Sequence, residues 1–286
     1  MYGSHLSIAG GMHKAVAEAQ SLGLATVQVF TKNQQQWRVP PLKDEAVEQW
    51  RAACDAAGYE HTVSHDSYLI NLASPDAALR KKSVALFVEE VRRCDLLGIP
   101  YLVMHPGAHM GDGEAKGVER IAESLDDGFK KIGESRTVVC LESTAGQGTT
   151  LGHRLEHLAE IIDKSDNKDR LGVCLDTAHL FAAGYDFRGR KYAAFKRELD
   201  TTVGLGRVKV WHLNDSKKEL GSRVDRHEHI GEGTIGDEGF RPIVKDKLWR
   251  NVPKILETPK PKRDDGEAWD AINVERLKSL AKPKRA

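Results

Sequence analysis

Short apolar runs alternate with longer amphipathic stretches along almost the whole chain. The runs are rich in Val, Ile and Leu, and they predict the strands GSHLS, TVQVF, EHTVSH, YLVMH, TVVCLES, LGVCLDT, VKVWHLN and PKILET. Because the runs are nearly continuous in hydrophobicity, they are typical of parallel strands that are covered by helices. The pattern therefore predicts eight strands in a parallel sheet.

The stretches between these strands have helical periodicity. Apolar residues recur at positions i, i+3, i+4 and i+7 in two segments, Val84, Phe87, Val88 and Val91, and Leu155, Leu158, Ala159 and Ile162. Eight β/α units in fewer than 300 residues predict an α/β fold, a TIM (β/α)8 barrel. We expect one barrel domain over residues 1–280 and a basic, frayed tail over 281–286. An open doubly wound sheet is the alternative, because periodicity does not prove closure.

The predicted strands end in residues that can bind metal. Strands three to eight end in His65, His105, Glu142, Asp176, His212 and Glu257. In a barrel these ends meet at one mouth, where buried imidazoles and carboxylates need a compensating cation. Imidazole and carboxylate without thiolate favour Zn²⁺, with Mn²⁺ or Fe²⁺ as substitutes. Six ligands can serve two ions if Glu142 bridges them.

Two further motifs extend the ligand set. His179 follows Asp176 by three residues, so one helical turn directs both side chains the same way. In GSRVDRHEHIGEG, Asp225 and His227 are two residues apart, which in extended chain puts them on one side. These three residues, His179, Asp225 and His227, predict a third ion with an open position for substrate. The other histidines, including His5 and His109 near strand ends, are assigned structural roles.

Composition limits the classes of protein less than the motifs do. There are 43 Lys plus Arg against 42 Asp plus Glu, a formal charge of +1, which by itself argues neither for nor against a nucleic-acid partner. The N-terminus resembles no secretory signal, and no apolar run could span a bilayer. We expect an intracellular protein without membrane contact. Its widely spaced cysteines are then buried thiols of a reducing compartment: Cys54, Cys94, Cys140 and Cys174.

Eight motifs together resemble the endonuclease IV family of apurinic/apyrimidinic endonucleases. They are GSHLSIAGG, FTKNQQQW, HDSYLINL, HPGAH, LESTAGQGTTLG, GVCLDTAHLFAAGYD, HLNDSKKELGSRVDRHEHIGEG and ILETP, and they cover nearly the whole chain. The resemblance implies a TIM barrel with three zinc ions, and all nine expected ligands are present. By that analogy His65, His105 and Glu142 hold one ion. Glu142 bridges to a second, completed by Asp176, His212 and Glu257, and the third is held by His179, Asp225 and His227.

The resemblance also implies a reaction. Family members cut double-stranded DNA on the 5′ side of abasic sites and trim blocked 3′ ends, so Glu142 and Glu257 are candidate catalytic residues. Three Zn²⁺ add six charges to the formal +1, so the loaded protein would carry +7 and attract DNA phosphates. We expect a monomer that acts in the cytoplasm, on the nucleoid.

Contacts with DNA are expected from the loops around the mouth. Through the resemblance and their basic or aromatic character, the candidates are Lys32, Asn33, Gln35, Trp37, Tyr68, Arg223 and Arg226. The chain departs from many relatives at two positions, with Gln35 in place of arginine and Ser143 in place of asparagine. The first departure concerns how strongly the loop wedges into DNA, and the second concerns the surroundings of the ligands.

Two other functions compete with the nuclease. Glu142, Asp176, His212 and Glu257 alone would suit a divalent-metal sugar isomerase or epimerase of the same barrel superfamily. That enzyme has no use for the other five predicted ligands. The second competitor is a module that binds DNA lesions without catalysis, against which the complete ligand set with an open position argues.

Overall fold

The structure, a computed structural model, describes residues 1–260 and 266–282. Strands within these ranges are β1 (Tyr2–His5), β2 (Thr26–Phe30), β3 (Val63–His65), β4 (Tyr101–Met104), β5 (Val138–Glu142), β6 (Leu171–Asp176), β7 (Val208–His212), β8 (Asp215–Ser216), β9 (His227–Glu228) and β10 (Lys254–Leu256). Eight of them form a closed parallel barrel in the order β1-β10-β7-β6-β5-β4-β3-β2. The predicted TIM barrel is confirmed, and the open sheet is excluded by the pairing of β1 with β10.

Helices follow the strands as the periodicity predicts. They are α1 (Met12–Ser21), α2 (Asp44–Ala57), α3 (Ala77–Leu97), α4 (Glu114–Ile132), α5 (Leu155–Lys164), α6 (Thr177–Ala183), α7 (Tyr192–Thr202), α8 (Gly236–Lys245) and α9 (Trp269–Ala281). Short 3₁₀ turns occupy Lys168–Arg170, Gly189–Lys191, Leu205–Arg207 and Lys247–Trp249. The predicted apolar stripe of α3 is buried throughout; in α5 the stripe is buried except at Ala159, which is half-buried.

Two apolar layers hold the barrel. The larger one lies between the strands and the surrounding helices, and the smaller one fills the barrel interior with Val63, Val103, Cys140, Cys174, Val210 and Ile255. Close approach inside the barrel requires glycine at position 3, where a Cβ would lie 2.7 Å from both the carbonyl oxygen and the Cγ2 atom of Thr26. The interior is therefore a packed core, and the polar strand ends lie above it.

The structure bears on the predictions for the cysteines and for membrane spans, but it describes only the start of the predicted tail. All four cysteines are free and buried. Within the described residues, no helix is both long and apolar enough to cross a membrane. The basic tail predicted for 281–286 begins where α9 ends at Ala281, and residues 283–286 lie outside the described ranges.

Candidate metal centre

All nine predicted ligands lie on elements that end at the same mouth of the barrel. His65, Glu142, Asp176 and His212 close their strands, and His105 and Glu257 directly follow β4 and β10. Eight of the nine belong to groups whose donor atoms lie within 4.8 Å of one another and could hold a metal ion: His65, His105 and Glu142; Glu142, Asp176, His212 and Glu257; and Asp176, His179 and His227. A fourth group joins Glu142 and His212 with Cys174, which was not predicted as a ligand, and Asp225 belongs to none of the four. The six strand ends that the sequence places in phase therefore converge in space.

Glu142 is at the centre of these groups. Its side chain is fully buried, with Oε2 lying 3.0 Å from His65 Nε2 and 3.2 Å from His105 Nε2. Its other oxygen, Oε1, lies 3.0 Å from His212 Nδ1. The two carboxylate oxygens thus face different imidazoles, as a bridge between two ions requires.

Asp225 connects the last two predicted ligands. Its Oδ2 lies 3.2 Å from His179 Nε2, and its Oδ1 lies 3.2 Å from His227 Nε2. His227 Nε2 is nevertheless buried without a hydrogen-bond partner. A buried nitrogen that faces a carboxylate at an angle unsuited to hydrogen bonding is typical of a donor set arranged around a cation.

Three of the imidazoles are anchored by backbone carbonyls. The Nδ1 atoms of His65, His179 and His227 lie 3.0 Å, 2.8 Å and 3.3 Å from the carbonyl oxygens of Asp66, Ser143 and Glu257, respectively. In each ring Nδ1 therefore donates its hydrogen to the backbone, and Nε2 is left to face the centre. This second set of contacts fixes the tautomer and the orientation of histidines that bind metal.

The electrostatics of the cluster favour positive charge. Burial by itself raises the pKa of Glu142, but the adjacent His212 and His105 outweigh burial and hold it well below its ordinary value. Burial lowers the pKa of His179, yet the neighbouring Asp176 and Asp225 raise it well above its ordinary value. The carboxylates therefore draw positive charge into the site, either as protons on the rings or as bound cations.

The loop that carries Asp225 and His227 is anchored from below by Asp215. This buried carboxylate accepts hydrogen bonds from the backbone N–H groups of Gly231 and Ile235 at 2.8 and 2.9 Å. A Cβ at Gly233 would lie 2.5 Å from Asp215 Oδ1, so only glycine fits there. The glycines that flank the histidine motif thus let the loop fold back closely onto β8 and β9.

Asn214 and Ser143 support the ligands, although sequence reasoning gave the first no role. The amide of Asn214 donates to Asp176 Oδ2 at 2.7 Å, and its oxygen accepts from the backbone N–H of Glu257 at 2.7 Å. Ser143 Oγ accepts from the backbone N–H of Asp176 at 2.9 Å. The departure at position 143 therefore preserves an anchor for a predicted ligand. The sequence offered one indication of this supporting role, since Asn214 follows the predicted ligand His212 by two residues.

The predicted DNA contacts are placed differently from one another. Tyr68 is 62% exposed, and its ring packs against His65 and His105 at centroid distances of 5.7 and 6.2 Å. Asn33, Gln35 and Trp37 are exposed in the loop after β2. Tyr68 therefore lies beside the candidate metal-binding groups. The loop after β2 is joined to Ser67, the neighbour of Tyr68, whose Oγ donates to the carbonyl of Gln34 at 2.5 Å.

The basic candidates divide into buried and exposed residues. Lys32 is almost completely buried, and its ammonium lies 3.4 Å from the carboxylate of Glu90. Its charge is therefore paired inside the protein and is not exposed on the surface. Arg226 is exposed, and its Nη1 donates to the carbonyl of Asp225 at 2.6 Å. Arg223 is exposed with a left-handed φ of 52° and lines a separate cleft with Tyr185.

A cavity of about 330 Å³ adjoins the cluster. His105, His179 and Asp225 form one wall, and the others include Tyr68, Gly107, Ala108, Thr144, Gln147 and Thr150. A larger cleft of about 820 Å³ is lined by Arg51, Asp95 and Arg170 and contains none of the predicted ligands. The smaller cavity is the one that borders the candidate metal centre.

Comparison with known proteins identifies the family. A family model described as a xylose isomerase-like TIM barrel matches residues 16–280. The chain is 48% identical over 282 residues to the probable endonuclease 4 of Chloroflexus aggregans, with 98% of each protein covered. It is 50% identical to the probable endonuclease 4 of Geobacter sulfurreducens, with 98% of the chain and 94% of that protein covered. The chain belongs to the endonuclease IV family.

Solved structures agree with this assignment. The crystal structure of endonuclease IV from Thermus thermophilus superposes with a TM-score of 0.85 at 39% identity, and the match covers 98% of both chains. A D-tagatose 3-epimerase-like protein superposes with a TM-score of 0.73 at 18% identity, a similarity that shows the shared barrel fold alone. The resemblance stated from the sequence motifs is therefore confirmed, and the sugar enzymes share only the barrel with this endonuclease IV family member.

Proposed function

We propose that the protein hydrolyses the phosphodiester on the 5′ side of abasic sites in double-stranded DNA and also trims blocked 3′ ends. The observation that carries the proposal is the convergence of nine imidazole and carboxylate side chains at one barrel mouth in a member of the endonuclease IV family. We further propose that residues 1–280 act as one unit and that the protein is a monomer. A DNA substrate places it in the cytoplasm, on the nucleoid.

The ligand sets suit three divalent ions, and we propose Zn²⁺, with Mn²⁺ or Fe²⁺ as substitutes. The donors are imidazole nitrogens and carboxylate oxygens, which bind all three metals. His65, His105 and Glu142 would hold the first ion. Glu142 would share the second with Asp176, His212 and Glu257, and the third would be held by His179, Asp225 and His227. The unpartnered Nε2 of His227 and the outward-anchored rings support this assignment.

Bound divalent ions would supply Lewis acidity, lower the pKa of water and offset the charge of a phosphodiester. The contribution of the protein is to place its own carboxylates beside the reacting groups. Glu142 and Glu257 face each other across one ring: His212 Nδ1 lies 3.0 Å from Glu142 Oε1 and 3.1 Å from Glu257 Oε2. We propose that these two carboxylates orient the attacking water.

Recognition of an abasic site is proposed to depend on shape. A nucleotide without its base has lost its stacking, so turning it out of the duplex costs little. The 330 Å³ cavity beside His105, His179 and Asp225 would receive its sugar. Tyr68 and the exposed Trp37 would fill the space left in the duplex.

The decisive assay uses a duplex that contains a tetrahydrofuran abasic analogue, incubated with the protein before and after prolonged chelation. We expect incision 5′ to the analogue, loss of incision after chelation, and no cutting of the same duplex without the analogue. Tight binding without incision would instead favour the non-catalytic lesion-binding module. Neither binding nor incision would reject the DNA substrate and leave a sugar enzyme as the alternative.

A further inference from the structure

Gln28 is a buried amide inside the barrel that the ligand sets do not include. It lies on β2 and is inaccessible to solvent. Its Nε2 donates to Glu257 Oε1 at 2.6 Å and lies 2.9 Å from His5 Nδ1. Its Oε1 lies 2.8 Å from His212 Nε2. One side chain on β2 thus contacts two proposed ligands that come from β10 and β7.

The chemistry of the partners fixes the direction of these hydrogen bonds. An ionised carboxylate only accepts, so the amide nitrogen of Gln28 must face Glu257 and the amide oxygen must face His212. That oxygen in turn only accepts, so His212 carries its hydrogen on Nε2. The nitrogen that remains, Nδ1, points toward Glu142 and Glu257. When a cation occupies Nδ1, His212 would therefore be opposite in tautomer to the histidines that are anchored through Nδ1.

We propose that Gln28 is a positioning residue that sets His212 and Glu257 for binding of the second ion. The proposal rests on the ligand assignment given under the proposed function. The outward nitrogen of His212 is held by a side-chain amide, whereas backbone carbonyls hold those of His65, His179 and His227. In histidine ligands the partner of the outer nitrogen fixes which nitrogen binds metal, and its loss typically costs about 10–100-fold in metal affinity or activity.

Gln28 also determines how Glu257 presents its carboxylate. Oε1 is occupied by the Gln28 amide and lies 3.1 Å from His5 Nδ1, whereas Oε2 faces His212 Nδ1. Glu257 is thereby set to bind through Oε2 alone. The arrangement is built into the barrel, because the register of the sheet pairs His5 with Gln28 on adjacent strands. The ends of β1 and β2 thus serve the metal centre without supplying ligands.

Gln28→Met tests the proposal, because methionine has a similar length but makes neither hydrogen bond. The matched control is Thr26→Val, one layer lower on the same strand, where the hydroxyl donates to the carbonyl of His61. Metal content is measured by elemental analysis during dialysis of the loaded protein against a chelator, in the absence of DNA. We expect Gln28→Met to release about one ion per chain roughly 10–100-fold faster than wild type, and Thr26→Val to match wild type.

Two further readouts distinguish positioning from simple packing. Gln28 is buried below the mouth, so Gln28→Met should lower kcat on the abasic duplex and leave KM unchanged. His5→Phe keeps a ring at that position but removes the contact with Glu257, so it should release metal faster than wild type and more slowly than Gln28→Met. Equal metal release by Gln28→Met and Thr26→Val would overturn the proposal. Because release is measured without DNA, a failure of the proposed incision leaves this result intact.

Discussion

The ammonium of Lys32 lies 3.4 Å from Oε1 of Glu90, and both side chains are almost completely buried. Lys32 Nζ also donates to the carbonyls of Asn33 and Gln36, each at 3.2 Å, so it holds the base of the loop that displays Trp37. The sequence motif FTKN presents Lys32 as a DNA contact. In the structure this cation is instead paired with Glu90 of helix α3 inside the protein.

Lys32→Met is expected to lower the free energy of unfolding by about 3 kcal/mol, because it leaves the Glu90 carboxylate buried without its cation. Urea denaturation measures this change. Arg38→Met is the matched control, since Arg38 is exposed in the same loop and its loss should leave stability unchanged. If Lys32→Met keeps its stability but reduces the salt dependence of DNA binding, Lys32 contacts a phosphate after all.

His227→Ala is expected to remain folded, to lose about one metal ion per chain, and to incise abasic duplex about 10²–10³-fold more slowly. Elemental analysis and single-turnover incision provide the measurements. His229→Ala is the control, because His229 stacks on Trp269 at 3.7 Å instead of facing the cluster. Incision by His227→Ala at the wild-type rate would show that the loop 221–233 has no part in the chemistry.

Tyr68→Ala is expected to raise KM for the abasic duplex about tenfold, because base–aromatic stacking is worth ~1–3 kcal/mol. The side chain is 62% exposed, so the fold should be unaffected and thermal unfolding should be unchanged. Leu248→Ala, also at an exposed apolar residue, is the control, since it follows α8 and precedes β10 at the other end of the barrel. An unchanged KM for Tyr68→Ala would remove this residue from the proposed DNA interface.

Lys254 gives the protein a pH dependence that is separate from the metal centre. Its ammonium is buried and donates to the carbonyls of Trp249 and Val252. Burial lowers the pKa of Lys254 to about 8, whereas the unfolded chain has the ordinary value of 10.5. Between these values Lys254 binds more protons in the unfolded state, so its own contribution to the free energy of unfolding rises with pH across this window. Thiols and tyrosines contribute with the opposite sign in the same range, because desolvation raises the pKa of groups such as Cys94 and Tyr68.

The full contribution is on the order of 3 kcal/mol, since one pKa unit corresponds to about 1.4 kcal/mol. It is absent below pH 8 and complete above pH 10.5. The free energy of unfolding of wild type minus that of Lys254→Met is expected to rise across this window, which urea denaturation of both proteins at several pH values measures. The same difference for the half-buried Lys209→Met on β7 should not change with pH. A wild-type pH dependence in Lys254→Met would show that another group is responsible.

Much of the fold was accessible from the sequence because the signal is local. The runs TVQVF and LGVCLDT are apolar for nearly their whole length, and such runs bury both faces of a strand. Closure was not accessible, because the pairing of Tyr2 with Lys254 joins the two ends of the chain. The small hairpin of β8 and β9 was also not predicted, since two-residue strands leave no periodic pattern.

The convergence of the predicted ligands was accessible for a related reason. In a parallel barrel the C-terminal ends of all strands lie at the same mouth. Residues that end successive strands, such as His65, Glu142 and Asp176, are therefore close together in space. Gln28 was visible as a polar residue within an apolar strand. Its partner was not, because the hydrogen bond to His212 spans 184 residues.

The sequence by itself determined the kinds of candidate donor atoms, the strand ends that carry them, and the parallel β/α repeat that brings these ends to one edge of the sheet. Only the tertiary structure decided which nitrogen of each histidine faces the centre and which basic side chain is buried. The position of a residue at the end of a strand can be read from the residues next to it in the sequence. The tautomer of His212 and the burial of Lys32 instead depend on Gln28 and Glu90, which reach them only when distant segments pack.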